Sequence, residues 1–125
     1  MFKLSIILAA YNVEQYIDEA IESYLDQEKD WSQLIIVNDG STDSTKCKIE
    51  KYITAKNNIV ILNKINGGLS SARNYGIEYA LDNSEYISFF DGDDILTNDY
   101  LSSFFPQFPK VTLTLLNLIY NDLII

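Results

Sequence analysis

An apolar strand in this chain ends in three carboxylates: Tyr86-Ile87-Ser88-Phe89-Phe90 runs straight into Asp91-Gly92-Asp93-Asp94. Such a strand gains by excluding water, whereas crowded carboxylates repel, and each needs solvent, a hydrogen-bond donor or a cation. Strand side chains alternate, so Asp-x-Asp at a strand end places Asp91 and Asp93 on one face. Two hard oxygen donors on one face suit a divalent cation, Mg2+ or Mn2+. A solvated acidic turn is the plainer reading of an isolated Asp-x-Asp. The decision therefore rests on what surrounds it.

The elements that would position these carboxylates follow from hydrophobic periodicity. Residues 4–10 are nearly all apolar, the pattern of a central parallel strand buried on both faces. Residues 14–27 have helical spacing, with Ile17, Ala20, Ile21, Tyr24 and Leu25 on one face. A second buried strand spans 34–37, and Asn38-Asp39-Gly40-Ser41-Thr42-Asp43 is a turn with Ser41 or Thr42 as helix cap. The helix after it reaches about residue 55 and buries Ile49, Tyr52 and Ile53. A third strand at 59–62, a turn at Asn66-Gly67-Gly68 and a helix over 69–81 follow, that helix burying Leu69, Ala72, Gly76, Tyr79 and Ala80. The fourth strand, 86–90, carries the acidic tip. Residues 98–105 form a short helix stopped by Pro106 and Pro109, and 111–115 alternate like a strand. Strands alternating with helices through short connections predict an α/β fold, a mostly parallel sheet flanked by helices. Ligands of such sheets bind beyond the carboxyl ends of the strands. The polar clusters Tyr11-Asn12, Asn38-Asp39-Gly40, Asn66-Gly67-Gly68 and Asp91-Gly92-Asp93-Asp94 all fall at those ends.

Composition narrows the chemistry. The chain has 125 residues, enough for one domain with one core. A net charge of −9 argues against a nucleic-acid partner and against electrostatic docking on an anionic membrane. An acidic protein that binds an anion needs a local cation to do so. There is no histidine, which excludes Ser-His-Asp and Cys-His catalysis and every His-containing zinc site. Cys47 is the single cysteine, so no internal disulfide forms and a reducing compartment is expected. The run after Met1-Phe2-Lys3 reads as a strand rather than a signal peptide, and no stretch approaches the ~20 apolar residues of a membrane span.

Several familiar motifs are absent. There is no Gly-x-x-x-x-Gly-Lys-Ser/Thr loop, and the first strand leads into Ala9-Ala10-Tyr11-Asn12 rather than Gly-x-Gly-x-x-Gly. That same segment lacks the paired carboxylates of a receiver domain and the Gly/Arg/Lys-rich loop of a nucleotidyltransferase. Counted from Asp91, Leu96 and Ser102 stand where a calcium EF-hand loop has Gly and Glu.

What the chain does resemble is a family 2 glycosyltransferase of the GT-A, Rossmann-like fold. The resemblance is carried by Ser5-Ile6-Ile7-Leu8-Ala9-Ala10-Tyr11-Asn12, Val37-Asn38-Asp39-Gly40-Ser41-Thr42-Asp43, Asn66-Gly67-Gly68-Leu69-Ser70-Ser71-Ala72-Arg73-Asn74-Tyr75-Gly76 and Phe90-Asp91-Gly92-Asp93-Asp94. It covers about residues 4–97 and implies inverting, metal-assisted transfer of a sugar from a nucleotide diphosphate donor, most commonly a UDP-sugar. It implies Asp93 as a metal ligand, with Asp91 sharing that task or bonding the donor ribose, and Mn2+ or Mg2+ as the cation. Asp39 matches the aspartate that reads the base, against the alternative of a turn residue bonding its own backbone. Tyr11 matches the ring packed on the base, and Ala9 would lend backbone contacts. Arg73, the only arginine, matches one near the donor phosphates, where a guanidinium binds in bidentate fashion; the alternative is a helix-surface pair with Glu78. Asn38 stands where an acidic residue is commoner.

The resemblance ends soon after the acidic strand, so the chain reads as one partial GT-A nucleotide-sugar-binding domain over 1–125, truncated after the Asp-x-Asp strand, with 98–125 as a tail. Inversion needs a general base to take the acceptor proton. No catalytic base is identified, since the only carboxylates after Asp94 are Asp99 and Asp122. An alternative reading is therefore a catalytically inactive donor-binding fragment or a partner-dependent module. The acceptor implied is a saccharide or lipid-linked saccharide of a surface polysaccharide, and the location is cytoplasmic, peripheral at the inner face of the membrane. The apolar tail predicts self-association or a partner chain.

Overall fold

The computed structural model describes residues 1–54 and 57–104. Along them run β1 (Phe2–Ala10), α1 (Ile17–Leu25), β2 (Ser32–Asp39), α2 (Thr45–Glu50), β3 (Ile59–Lys64), α3 (Leu69–Leu81), β4 (Ser84–Asp91) and α4 (Tyr100–Phe104). The strands form one parallel sheet in the order β3-β2-β1-β4, as the alternation of elements predicts. β1 is central, so both its faces are covered, and every residue from Leu4 to Ala10 is buried.

Period-two alternation divides those residues between two cores. Leu4, Ile6, Leu8 and Ala10 pack with Ile17, Ile21 and Tyr24 of α1, Ile49 of α2 and Leu101 of α4. Ile7 and Ala9 face the other way, onto Ala72, Ile77 and Ala80 of α3. The sheet thus lies between α1, α2 and α4 on one side and α3 on the other. Each fully buried Ile or Leu stabilises this arrangement by about 1.5–3 kcal/mol.

Gly76 explains how closely α3 sits. A Cβ at that position would stand 2.6 Å from Cγ2 of Ile7, so only glycine lets the helix lie so close to β1. Mid-helix glycine costs about 1 kcal/mol relative to alanine, which the packing offsets. The small residues Ala72, Gly76 and Ala80 make the buried stripe. That narrow stripe leaves Leu69 and Tyr79 exposed at 48% and 38%, contrary to expectation.

Other differences lie at helix ends. α1 begins at Ile17, and residues 14–16 form a turn. Ser41 and Thr42 do not cap α2. It starts at Thr45, whose N–H donates to Oδ1 of Asp43. α2 ends at Glu50, and Ile53, beyond it, is exposed rather than buried. The strand expected at 111–115 and the apolar tail lie outside the described residues. Among those described, no helix is long and apolar enough to cross a membrane.

The register aligns the strand ends at one edge. Ala9 pairs with Asp91, Ala10 with Asn38, and Asp39 with Lys64. The chain leaves β1 toward β2 and β3, then returns to β4 on the opposite side. A crevice opens where strand order reverses in this way.

Candidate active site

Four loops enclose an open cleft of about 420 Å³ at that edge, lined by residues that include Ala9, Tyr11, Asp39, Asn66, Gly68, Asp91 and Asp93. The volume falls in the range of small-ligand sites. Five of the six positions singled out from sequence lie on its wall. Arg73 reaches it through Asp91: its Nη2 donates to Asp91 Oδ1 at 3.1 Å, and its guanidinium lies 5.8 Å from the centre of the Phe89 ring. The partner of Arg73 is thus Asp91, not Glu78. Its Nε is buried without a hydrogen bond.

One wall is built by Asn12. Its φ of +51° lies in the left-handed region, which asparagine tolerates better than most residues. Its N–H donates to Ser41 Oγ at 3.1 Å, and its Oδ1 accepts from the Thr42 N–H at 2.8 Å. Val13 N–H donates to Thr45 Oγ1 at 2.9 Å. Ser41 and Thr42, expected as caps, instead join two loops and so hold Tyr11, 48% exposed, at the rim. Asn38 works similarly, donating to Asn63 Oδ1 and accepting from the Ser41 N–H. Neither contact needs the charge of the acidic residue commoner there.

Asp39 anchors another wall. Its Oδ1 accepts from Lys64 Nζ at 2.8 Å and Gly67 N–H at 3.0 Å; its Oδ2 accepts from Gly68 N–H at 2.9 Å and Asn66 Nδ2 at 3.3 Å. The side chains of Asp39 and Lys64 are 4% and 12% exposed. Burial pushes the Asp39 carboxyl up, but Lys64 and the two glycine amides outweigh it and hold the group below the usual carboxylate range. Lys64 escaped the sequence reading. Its signal was a lone cation ending an apolar strand two residues before Asn66-Gly67-Gly68. Gly40, with φ +72°, lets the two loops touch: a Cβ there would meet the Asn66 backbone N at 2.6 Å.

A further wall is the acidic turn. Carboxylate oxygens of Asp91, Asp93 and Asp94 all come within 4.8 Å of one another, with Asp93 and Asp94 exposed. Arg73 engages one oxygen of Asp91 and leaves the other free. The turn is tied by Gly92 N–H to the Ala9 carbonyl and by Asp94 N–H to the Asp91 carbonyl, both at 2.9 Å. Converging hard oxygens with open solvent positions fit Mg2+ or Mn2+ chemically.

Comparison with known proteins gives this arrangement a family. The profile described as Glycosyl transferase family 2 matches residues 5–114. The chain belongs to that family. As a family 2 glycosyltransferase it has the Rossmann-like GT-A fold. It is 46% identical over 99 residues to the minor teichoic acid biosynthesis protein GgaB of Bacillus subtilis (strain 168), covering 77% of this chain and 11% of GgaB. It is 40% identical over 97 residues to the putative glycosyltransferase EpsH of the same organism, covering 78% of this chain and 28% of EpsH. Among solved structures, S. aureus TarS residues 1–349 in complex with UDP-GlcNAc superposes with a TM-score of 0.78 at 30% identity, over 87% of this chain and 32% of that one. The chain therefore spans well under half the length of these relatives. The family match also runs past the last motif noted in the sequence, into residues outside those described.

Proposed function

We propose that this chain is the donor-binding portion of an inverting glycosyltransferase, holding a nucleotide diphosphate sugar in the cleft for transfer to an acceptor hydroxyl. The observation that carries the reading is the meeting of four loops in one cleft, with clustered carboxylates on one wall and Asp39 and Tyr11 on the others. A UDP-sugar is the donor favoured, since TarS, a structural relative at 30% identity, was solved with UDP-GlcNAc and also with UDP. The teichoic acid proteins among the relatives favour an acceptor saccharide or lipid-linked saccharide in surface polysaccharide synthesis. Such work would place the protein in the cytoplasm, at the inner membrane face.

Electrostatics decides what the acidic wall needs. At ~4 Å and an effective dielectric near 20, each contact between a carboxylate and a diphosphate oxygen costs about 4 kcal/mol. A divalent cation held by Asp93 and the free oxygen of Asp91 would reverse that sign and supply Lewis-acid stabilisation to the leaving diphosphate. Asp94 supports the turn or faces the sugar. Arg73 is paired with Asp91 through Nη2, and its guanidinium would have to turn from that contact to meet phosphate. Tyr11 presents a ring face to the base, and Ala9 contributes backbone contacts. Asp39 reads a base N–H only if one of its four donors yields, and the Asn66 amide, at 3.3 Å, is the longest and so the weakest.

A second reading, a donor-binding module without transfer activity of its own, is favoured by one observation. After Asp94 the described residues hold a single carboxylate, Asp99, and it is not on the cleft wall. A thermal-shift titration with UDP, GDP and dTDP, each with and without Mn2+, tests the binding that both readings share. Manganese-dependent stabilisation by one nucleotide, lost in Asp93→Ala, supports them. A folded chain with no such shift refutes them. Sugar release from UDP-sugar with an acceptor then separates transferase from module.

A further inference from the structure

The acidic turn is fixed from behind by two side chains at the carboxyl end of the first helix and just past it, to which no motif points. Ser23 lies on the last turn of α1 and Gln27 just beyond it. The Ser23 hydroxyl donates to the Ala20 carbonyl at 2.6 Å, which leaves its oxygen oriented to accept from Leu96 N–H at 3.0 Å. The Gln27 amide uses both its ends. Nε2 donates to the carbonyls of Ser23, at 3.0 Å, and Thr97, at 2.6 Å, while Oε1 accepts from Leu101 N–H at 2.9 Å. Leu101 is an early residue of α4, a helix of five residues that has no stability of its own. One amide therefore serves as an external cap for α4 and as a clasp on the segment leading to it.

These contacts place the carboxylates. The segment from Gly92 to Leu96 is held at its start by the Ala9 carbonyl and at its end by Ser23, with Leu96 buried in the core beside α1. Asp93 and Asp94 lie between the two anchors, where the Asp94 N–H bond to the Asp91 carbonyl closes the turn. They repel each other, so without the second anchor the turn would relax by spreading them apart. We propose that Ser23 and Gln27 are positioning residues of the cation site, setting the carboxylate spacing that a divalent ion requires. The inference rests on the cation reading above and assigns it a support at the end of α1 and in the turn that follows it.

The test measures Mn2+ binding in the presence of saturating UDP, from the loss of the free-ion electron paramagnetic resonance signal, well below each variant's melting temperature. Gln27→Met keeps the volume and removes every hydrogen bond; Gln27→Glu keeps only the acceptor for Leu101; Ser23→Ala removes the hydroxyl and Ser23→Thr restores it. The expected result is about tenfold weaker Mn2+ binding in the first three, a size typical of supporting contacts around metal sites, with wild-type affinity in Ser23→Thr. A merely structural role would lower the melting temperature in metal-free buffer and leave the Mn2+ affinity of the folded variants unchanged, which overturns the proposal. Failure of the wild-type chain to bind Mn2+, where Asp93→Ala behaves identically, overturns the cation reading itself and this proposal with it.

Discussion

The two acidic walls of the cleft are built on opposite principles. Asp39 is buried and all four of its acceptor positions are filled by the protein: an ammonium, two backbone amides and a side-chain amide. Asp91, Asp93 and Asp94 stand half-exposed or exposed, with one arginine contact among them. The first wall is complete as folded. The second is a set of carboxylates whose mutual repulsion is relieved by solvent, by the one arginine or by something bound. Substitutions on the first wall should therefore be read out mainly in stability, and those on the second mainly in binding.

The largest effect is expected at Asp39. Asp39→Ala leaves the Lys64 ammonium nearly buried without its counter-charge and frees the Gly67 and Gly68 N–H groups, a loss of about 3–5 kcal/mol. Urea denaturation would measure it, and the Asp39→Ala, Lys64→Met double variant should recover part, since no lone charge is then buried. A change below about 1 kcal/mol would show that the first wall is not self-sufficient. The same pair gives a pH signature. Because the folded carboxyl titrates below its unfolded value of about 3.9, its contribution is complete above that pH and is lost as pH falls through the lowered folded value. Lys64→Met should flatten that acid limb.

Next in size is Gly40→Ala. Its Cβ would press on the Asn66 backbone at 2.6 Å from a residue already at φ +72°, so the two loops must part. Overpacking of this kind costs about 1–3 kcal/mol. It should also loosen Asn66 from Asp39, so UDP affinity is expected to fall with stability. Unchanged stability would mean the loops separate freely, and the contrast between the walls would weaken.

The sequence made the sheet and the cleft legible because both follow from short-range pattern. Four apolar runs, each ending in polar residues, force those polar ends to one edge once the strands are parallel. What it hid were partners distant in sequence that no period encodes. Lys64 meets Asp39 through strand register, Asp91 meets Arg73 across the face that α3 covers, and Gln27 meets Thr97 and Leu101 on the opposite face, where α1 and α4 lie together. The helix ends were misjudged for a related reason. Ser41 and Thr42 look like caps in sequence, yet their hydroxyl and amide groups are used by Asn12, thirty or so residues earlier in the chain.

Arg73 sits between the two regimes, and its substitution refines the comparison. Arg73→Lys keeps the charge and loses the planar fork that bonds Asp91 while offering further N–H donors. The pair is 23% and 38% exposed, so solvent screening limits the expected loss of stability to below about 1 kcal/mol. A charge-assisted phosphate contact is worth more than that, and UDP affinity is expected to fall about tenfold by calorimetry, or about 1.4 kcal/mol. Equal losses in stability and binding would place Arg73 with the first wall as a structural pair.

The smallest stability change, and the most telling one, is expected at Asp93. Its carboxylate is exposed and its neighbours Asp91 and Asp94 carry the same charge, so Asp93→Ala removes repulsion without opening a cavity. Stability should change by no more than about 0.5 kcal/mol, in the stabilising direction at low salt, where screening is weakest. The Mn2+-dependent part of the nucleotide-induced thermal shift should nonetheless vanish, since the remaining carboxylate oxygens no longer enclose a cation. A variant that is markedly destabilised, or that keeps the full manganese-dependent shift, would mean that the acidic turn is held by the fold as Asp39 is. The two walls would then differ in exposure alone.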